Sequence, residues 1–181
     1  MKKTLMALAL GLASTSAFAV DGKGEIRFEG KILDGGTCPI DIIGAGPGAG
    51  VVSLGTNFRP TDFPSAGTAS AATGFRLAIN DSGAGCSIGT AKVKFTFASE
   101  DGDTGAGEYY AIKPGYGRAS NIGIEILDRD NDRVKPSIQS KEFDISDTNK
   151  VIDFTARLVS TQNTVEPGLI NANVSIVADI N

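Results

Sequence analysis

The stretch Gly22–Leu33, G-K-G-E-I-R-F-E-G-K-I-L, divides by parity. Lys23, Glu25, Arg27, Glu29 and Lys31 hold the odd positions, and Gly24, Ile26, Phe28, Gly30 and Ile32 the even ones. Successive side chains of a β-strand point to opposite faces, so this run has one charged face and one small or apolar face. The apolar face requires a packing partner, and periodicity alone does not say whether that partner belongs to the same chain.

Upstream of the stretch lies an export signal. Lys2 and Lys3 form a positive n-region, Leu5 to Leu12 a short apolar h-region, and Ala17-Phe18-Ala19 a small-x-small cleavage site. Residues 1–19 are therefore expected to be removed, leaving Val20 as the mature N-terminus. The apolar run is too short to span a bilayer, and no later run is long enough. What remains is enough for one domain with a real core. Loss of the two lysines changes the formal net charge from −4 to −6. An acidic chain without a Lys/Arg run is a poor candidate for binding nucleic acid or anionic membrane.

Downstream, the two-residue period returns. Val51-Val52-Ser53-Leu54 is a short version. Phe75, Leu77 and Ile79 continue it, followed by Val93, Phe95 and Phe97, then Ile122, Ile124 and Ile126. Ile152, Phe154, Ala156 and Leu158 repeat it, as do Val174, Ile176, Ala178 and Ile180; Phe143 and Ile145 make a weaker pair. Such runs are half-buried strands. Between them lie segments rich in Gly, Pro, Asp, Asn and Ser, including Gly44 to Gly50, Pro60 to Thr73, Glu100 to Gly107 and Asp128 to Asp132. No stretch carries a capped 3.6-residue stripe, and residues 65–73 read as loop or at most one helical turn. Many short antiparallel strands at this spacing predict an all-β sandwich.

Catalytic chemistry is thin. The chain has no histidine, which removes Ser-His-Asp and Cys-His mechanisms and most zinc sites. No P-loop or G-x-S-x-G elbow occurs. Asp128-Arg-Asp130-Asn-Asp132 begins like a calcium loop, but its sixth position is Arg133 instead of glycine and its twelfth is Gln139 instead of glutamate. It is read as an exposed hairpin turn. Carboxylate pairs for glycoside hydrolysis have nothing to set them across a cleft, and the chain lacks tryptophan as a sugar platform. No catalytic residue, metal site or cofactor is assigned. Cys38 and Cys86, an even pair in an exported chain, argue for one disulfide, worth about 4 kcal/mol by loop closure. A metal-binding or catalytic thiol pair is the alternative.

The motifs in order resemble the subunits of chaperone–usher fimbriae, in particular the single-domain, type 1-like shaft pilins. The resemblance covers essentially the whole mature chain. It is carried by G-x-I-x-F-x-G-x-I (Gly24 to Ile32) before Cys38, V-x-L-G (Val52 to Gly55), and G-F-x-L-x-I-N-D (Gly74 to Asp81) before Cys86. K-V-K-F-T-F (Lys92 to Phe97), N-I-G-I-E-I-L-D (Asn121 to Asp128), D-F-T-A-R (Asp153 to Arg157) and Pro167-Gly168 complete it.

The resemblance implies an immunoglobulin-like sandwich that lacks its last strand and is completed by a donor strand. It implies a division into a donor extension, residues 20–29, and a pilin domain, residues 30–181. It places Gly24, Ile26 and Phe28 as groove-filling donor residues, with Gly22 extending the register. It makes the strand holding Val174, Ile176, Ala178 and Ile180, preceded by Gly168, the one paired by a periplasmic chaperone. It implies a Cys38–Cys86 disulfide, and as partners neighbouring copies, the chaperone and an outer-membrane usher. The function implied is a structural, non-enzymatic, adhesion-supporting subunit at the bacterial surface. The sequence departs from the family pattern at the next-to-last residue, where Ile180 stands in place of the common tyrosine. A minor or adaptor subunit is the alternative of the same architecture. A monomeric exported carbohydrate- or calcium-binding sandwich is the alternative of another class.

Overall fold

The computed structural model describes residues 24–30, 38–44, 46–80, 86 and 88–181. The expected signal, Gly22, and Ile32 with Leu33 lie outside the described residues. Twelve strands are described: β1 Gly24–Gly30, β2 Ile40–Gly44, β3 Val51–Gly55, β4 Thr73–Ile79, β5 Thr90–Ser99, β6 Asp103–Thr104, β7 Tyr109–Ala111, β8 Ile122–Asp128, β9 Arg133–Val134, β10 Phe143–Ser146, β11 Val151–Ser160 and β12 Ile170–Ile180. Residues 65–72 are loop ahead of β4, which begins at Thr73, and among the described residues the one helical turn, a 3-10 turn, lies just before them at Pro60–Asp62.

The strands form two sheets. One has the order β10-β5-β12-β1-β3, the other β2-β4-β11-β8-β7-β6, with β9 paired to β8. This is the all-β sandwich that the strand pattern predicts, of the immunoglobulin-like kind that the resemblance implies. Between the sheets, each strand contributes its apolar parity. In β12, Ile170, Ala172, Val174, Ile176 and Ala178 are buried and the residues between them are not. β11 behaves alike through Ile152, Phe154, Ala156 and Leu158. Phe154 is the hub of the core. Its ring lies 5.6 Å from that of Phe75, 5.7 Å from Phe95, 5.3 Å from Phe97 and 5.7 Å from Phe143. Such stacked and edge-on pairs add to the energy of burial itself.

β8 departs from the alternation that its sequence predicts, because both its faces are buried. Gly123 is covered by Thr104 and Tyr109 from the β6–β7 hairpin. The Glu125 carboxylate, 2% exposed, is held by Arg133 and Arg157. Two guanidiniums at hydrogen-bonding distance are what allow a carboxylate to sit there, since an unpaired buried charge is strongly disfavoured. The β6, β7 and β9 segments that cover β8 are too short to show a period of their own.

Replacing Phe154 by alanine is expected to lower unfolding free energy by about 3–5 kcal/mol, the range for a large aromatic removed from a packed core. Chemical denaturation of the Phe154→Ala chain checks this.

Candidate functional site

Without β1, the first sheet would have a gap. β12 is paired on one side with β5, from Val174↔Ser99 to Ile180↔Val93. Its other edge faces β3 across a space one strand wide, and β1 occupies that space. It runs parallel to β12, from Gly24↔Ile170 to Gly30↔Ile176, and antiparallel to β3, from Gly24↔Gly55 to Arg27↔Val51. An empty gap would leave the facing N–H and C=O groups of β12 and β3 without ladder partners and open the core along its length.

The side chains match the gap by parity. Ile26 is 0% exposed and Phe28 is 4% exposed, whereas Arg27 points to solvent. The Phe28 ring stacks on Phe75 at 4.8 Å and meets Phe97 edge-on at 6.5 Å. Burying side chains of this size stabilises by about 1.5–3 kcal/mol each. Gly24 stands where a side chain would be tightly confined. A Cβ built there would stand 3.1 Å from Leu54 Cβ and 3.4 Å from both the Leu158 side chain and the Phe58 ring. Beyond Gly24 a small cavity continues the groove, lined by Phe58, Phe63, Ile122, Val165, Gly168 and Ile170.

Gly24, Ile26 and Phe28 lie opposite Ile170, Ala172 and Val174 of β12, and the ladder ends at Ile176; Ala178 and Ile180 lie beyond it, Ala178 buried and Ile180 half-buried against the core. In this single chain the three groove-filling residues complete their own domain. The sequence pattern did not mark the other wall and the floor. Val52 and Leu54 of β3 form the wall, and Phe75 and Leu158 of the second sheet the floor. The V-x-L-G run gave their strand, but nothing in it names its neighbour.

Gly168 acquires a direct physical reason. A Cβ there would lie 2.2 Å from the Arg118 carbonyl carbon and 2.3 Å from the Ala119 nitrogen. The backbone of residues 117–120 crosses it, with Leu169 N–H donating to Gly117 O and Ala119 N–H donating to Leu169 O. This crossing fixes the chain where it turns into β12.

Two further features bound the site. Cys38 and Cys86 form a disulfide with Cα atoms 5.1 Å apart. It ties the approach to β2 to the connection between β4 and β5. The calcium-like run is a hairpin turn between β8 and β9, and its three carboxylates converge on an ammonium. Lys141 Nζ lies 2.9 Å from Asp128, 2.6 Å from Asp130 and 2.9 Å from Asp132. That pairing holds the Asp130 carboxyl below the usual carboxylate range and the Lys141 ammonium above the usual lysine value. Among the described residues no group of three or more His, Cys, Asp or Glu is arranged to hold a metal ion.

A family model described as "Fimbrial protein" matches residues 26–181. The chain belongs to the fimbrial protein family. It is 32% identical to a probable major fimbrial subunit of Escherichia coli O157:H7, over 96% of this chain and 94% of that one. It is 30% identical to the type-1 fimbrial protein A chain of Escherichia coli K12, over 92% and 90%. Among solved structures, a type I fimbria protein of Burkholderia pseudomallei shares the fold with TM-score 0.56 and 19% identity, over 90% of this chain and 95% of that one. As a fimbrial protein this chain is a structural component of a surface appendage. Among its described residues no helix is long and apolar enough to cross a membrane.

Gly168→Ala is expected to cost more than about 2 kcal/mol of stability, because the obstructing atoms are backbone and cannot swing away. The thermal unfolding midpoint of this variant, compared with that of an alanine variant at the open Gly74, checks the expectation.

Proposed function

We propose that this chain is a shaft subunit that polymerises by donor-strand exchange. Residues 20–29 act as the donor extension and residues 30–181 as the pilin domain. Gly24, Ile26 and Phe28 of one copy fill the groove between β12 and β3 of the next. A periplasmic chaperone covers that groove first, pairing along Val174, Ile176, Ala178 and Ile180, and an outer-membrane usher hosts the exchange. The chain acts as a structural unit supporting adhesion, with no catalytic group, metal or cofactor taking part.

One observation carries this reading. The gap between β12 and β3 is filled by β1, which comes ahead of the rest of the described domain in the chain. A strand held that way can be replaced by an equivalent strand from another molecule, with main-chain ladders giving continuity and alternate side chains filling the pockets. The wall, floor and narrow end of the groove suit a glycine–aliphatic–aromatic series at two-residue spacing.

Deleting residues 20–28 is expected to leave a domain that still accepts a strand supplied in trans but forms no fibre. Electron microscopy of cells expressing the deletion with its chaperone and usher checks this; normal fibres would rule out the donor assignment. Ile176→Asp places a charge on a residue that is 0% exposed, and its periplasmic yield is expected to collapse. Unchanged yield of a monomer expressed without any chaperone would instead favour a self-sufficient soluble sandwich.

A further inference from the structure

Several cations on this acidic chain are matched to carboxylates. Lys92 and Lys94 share Glu142, Arg133 and Lys135 share Glu108, and Lys141 is ringed by three aspartates. Lys113 and Arg118 differ. Among the described residues neither forms an ion pair, and the two meet in one pocket of about 100 Å³, lined by Lys113, Arg118, Asn171, Ala172 and Asn173. The pocket lies between the β7–β8 connection and the start of β12.

The sequence builds it rigidly. Gly115-Tyr-Gly-Arg118 is a tight turn, closed by Arg118 N–H donating to Gly115 O. Gly117, at φ +74°, supplies the left-handed third position that such a turn requires. Both sides of the turn are laced to one strand. Lys113 N–H donates to Asn171 O on one side. On the other, Leu169 N–H donates to Gly117 O and Ala119 N–H donates to Leu169 O. The backbone positions of both cations are thus fixed against β12 before any ligand arrives, which lowers the ordering cost of binding.

The free donors and acceptors define the ligand. Arg118 donates from Nη1 to the Asn171 side-chain oxygen. Its Nε–Nη2 edge keeps no partner among the described residues, and that planar pair of donors is the edge that grips a carboxylate in bidentate fashion. Lys113 is exposed and adds a second positive charge. Asn173 Nδ2 donates to Glu100 at 2.9 Å, which leaves its carbonyl oxygen to accept from a hydroxyl. Across the β1–β12 ladder, Glu25 lies opposite Asn171 and Arg27 opposite Asn173. With Glu25, Arg27 and Glu100 included, the neighbourhood carries one net positive charge, which suits a single carboxylate and disfavours a polyanion. The turn that carries Arg118 also carries Tyr116, whose side chain is fully exposed.

We propose that this pocket binds a carboxylated sugar. Arg118 and Lys113 take the carboxylate, the Asn171 and Asn173 amides take hydroxyls, and Tyr116 offers its ring to the rest of the glycan. Sialic acids and uronic acids share this chemistry. The site uses no residue assigned to donor-strand exchange. In a polymer it repeats with every subunit, so a weak site gains by multivalency.

Backbone amide NMR shifts of the soluble mature chain test the proposal, with sialyllactose and a glucuronate-terminated disaccharide as probes and lactose as the neutral control. Saturable shifts at residues 113–118 and 171–173 are expected from at least one acidic probe and not from lactose, and the responding probe identifies the source of the sugar. Lys113→Glu and Arg118→Lys are each expected to weaken binding about tenfold or more, the scale of a charge-assisted hydrogen bond. Lys92→Glu, outside the pocket, is expected to leave it unchanged. Lys113 is exposed, so its charge reversal is expected to keep the unfolding midpoint; Arg118→Lys keeps the charge and removes only the fork. Silence with both acidic probes, an equal response to lactose, shifts centred elsewhere, or binding indifferent to either pocket variant overturns the proposal. Inorganic sulfate binding as tightly as the acidic glycan overturns it too, since the pocket then selects no sugar. None of these outcomes bears on donor-strand exchange, which the deletion of residues 20–28 tests separately.

Discussion

A strand has to lie between β12 and β3. The edge of β12 that faces away from β5 carries a row of backbone donors and acceptors, and its inward side chains share a core with Phe75, Phe154 and Leu158. Water could satisfy the backbone row, but it would then also reach the apolar floor. A strand with apolar residues at every second position satisfies both demands at once. The rest of the molecule is arranged so that this position exists, and β1 fills it.

The frame around the gap is stiff where the gap has to keep its shape. Phe154 touches four other aromatic rings from both sheets, which fixes the floor. The backbone crossing at Gly168 fixes the direction in which β12 starts. The disulfide fixes the approach to β2 against the connection between β4 and β5. The polar clusters do related work on the outside. Glu125 between Arg133 and Arg157 lets the central strand β8 be covered on both faces, and Lys141 holds the β8–β9 turn closed by drawing three carboxylates together. That turn has the composition of a cation loop, and its cation is a side chain of the same protein.

Filling the gap with a segment that comes ahead of the rest of the domain is what the proposed donor-strand function rests on. The stabilisation from Ile26 and Phe28 is local to the groove and is available to whichever copy of the segment occupies it. Chain connectivity favours the domain's own copy by proximity. On the donor-strand function proposed above, such a subunit can be complete while alone and still exchangeable, with the core itself as the binding surface.

Much of this was legible in the residues. The parity of Gly22–Leu33 gave a strand with one buried face, and the runs through Phe75, Phe97, Phe154 and Ile176 gave the strands that bury it, because alternation is a local property that the pleat imposes on every half-buried strand. The cysteine pair was legible from count and compartment, and Gly168 from resemblance, before any contact explained it. The short strands β6, β7 and β9 were not legible, since two or three residues cannot show a period. The burial of Glu125 was hidden for another reason, because a glutamate on an alternating strand looks solvent-facing until two arginines from other strands are brought to it. What the sequence by itself determined is which side of Gly24–Gly30 must be covered. Only the tertiary structure decided what covers it and in which direction the strand runs, because side-chain alternation is the same in either direction, whereas the neighbours β12 and β3 and the tether through Cys38 exist only once the chain has folded.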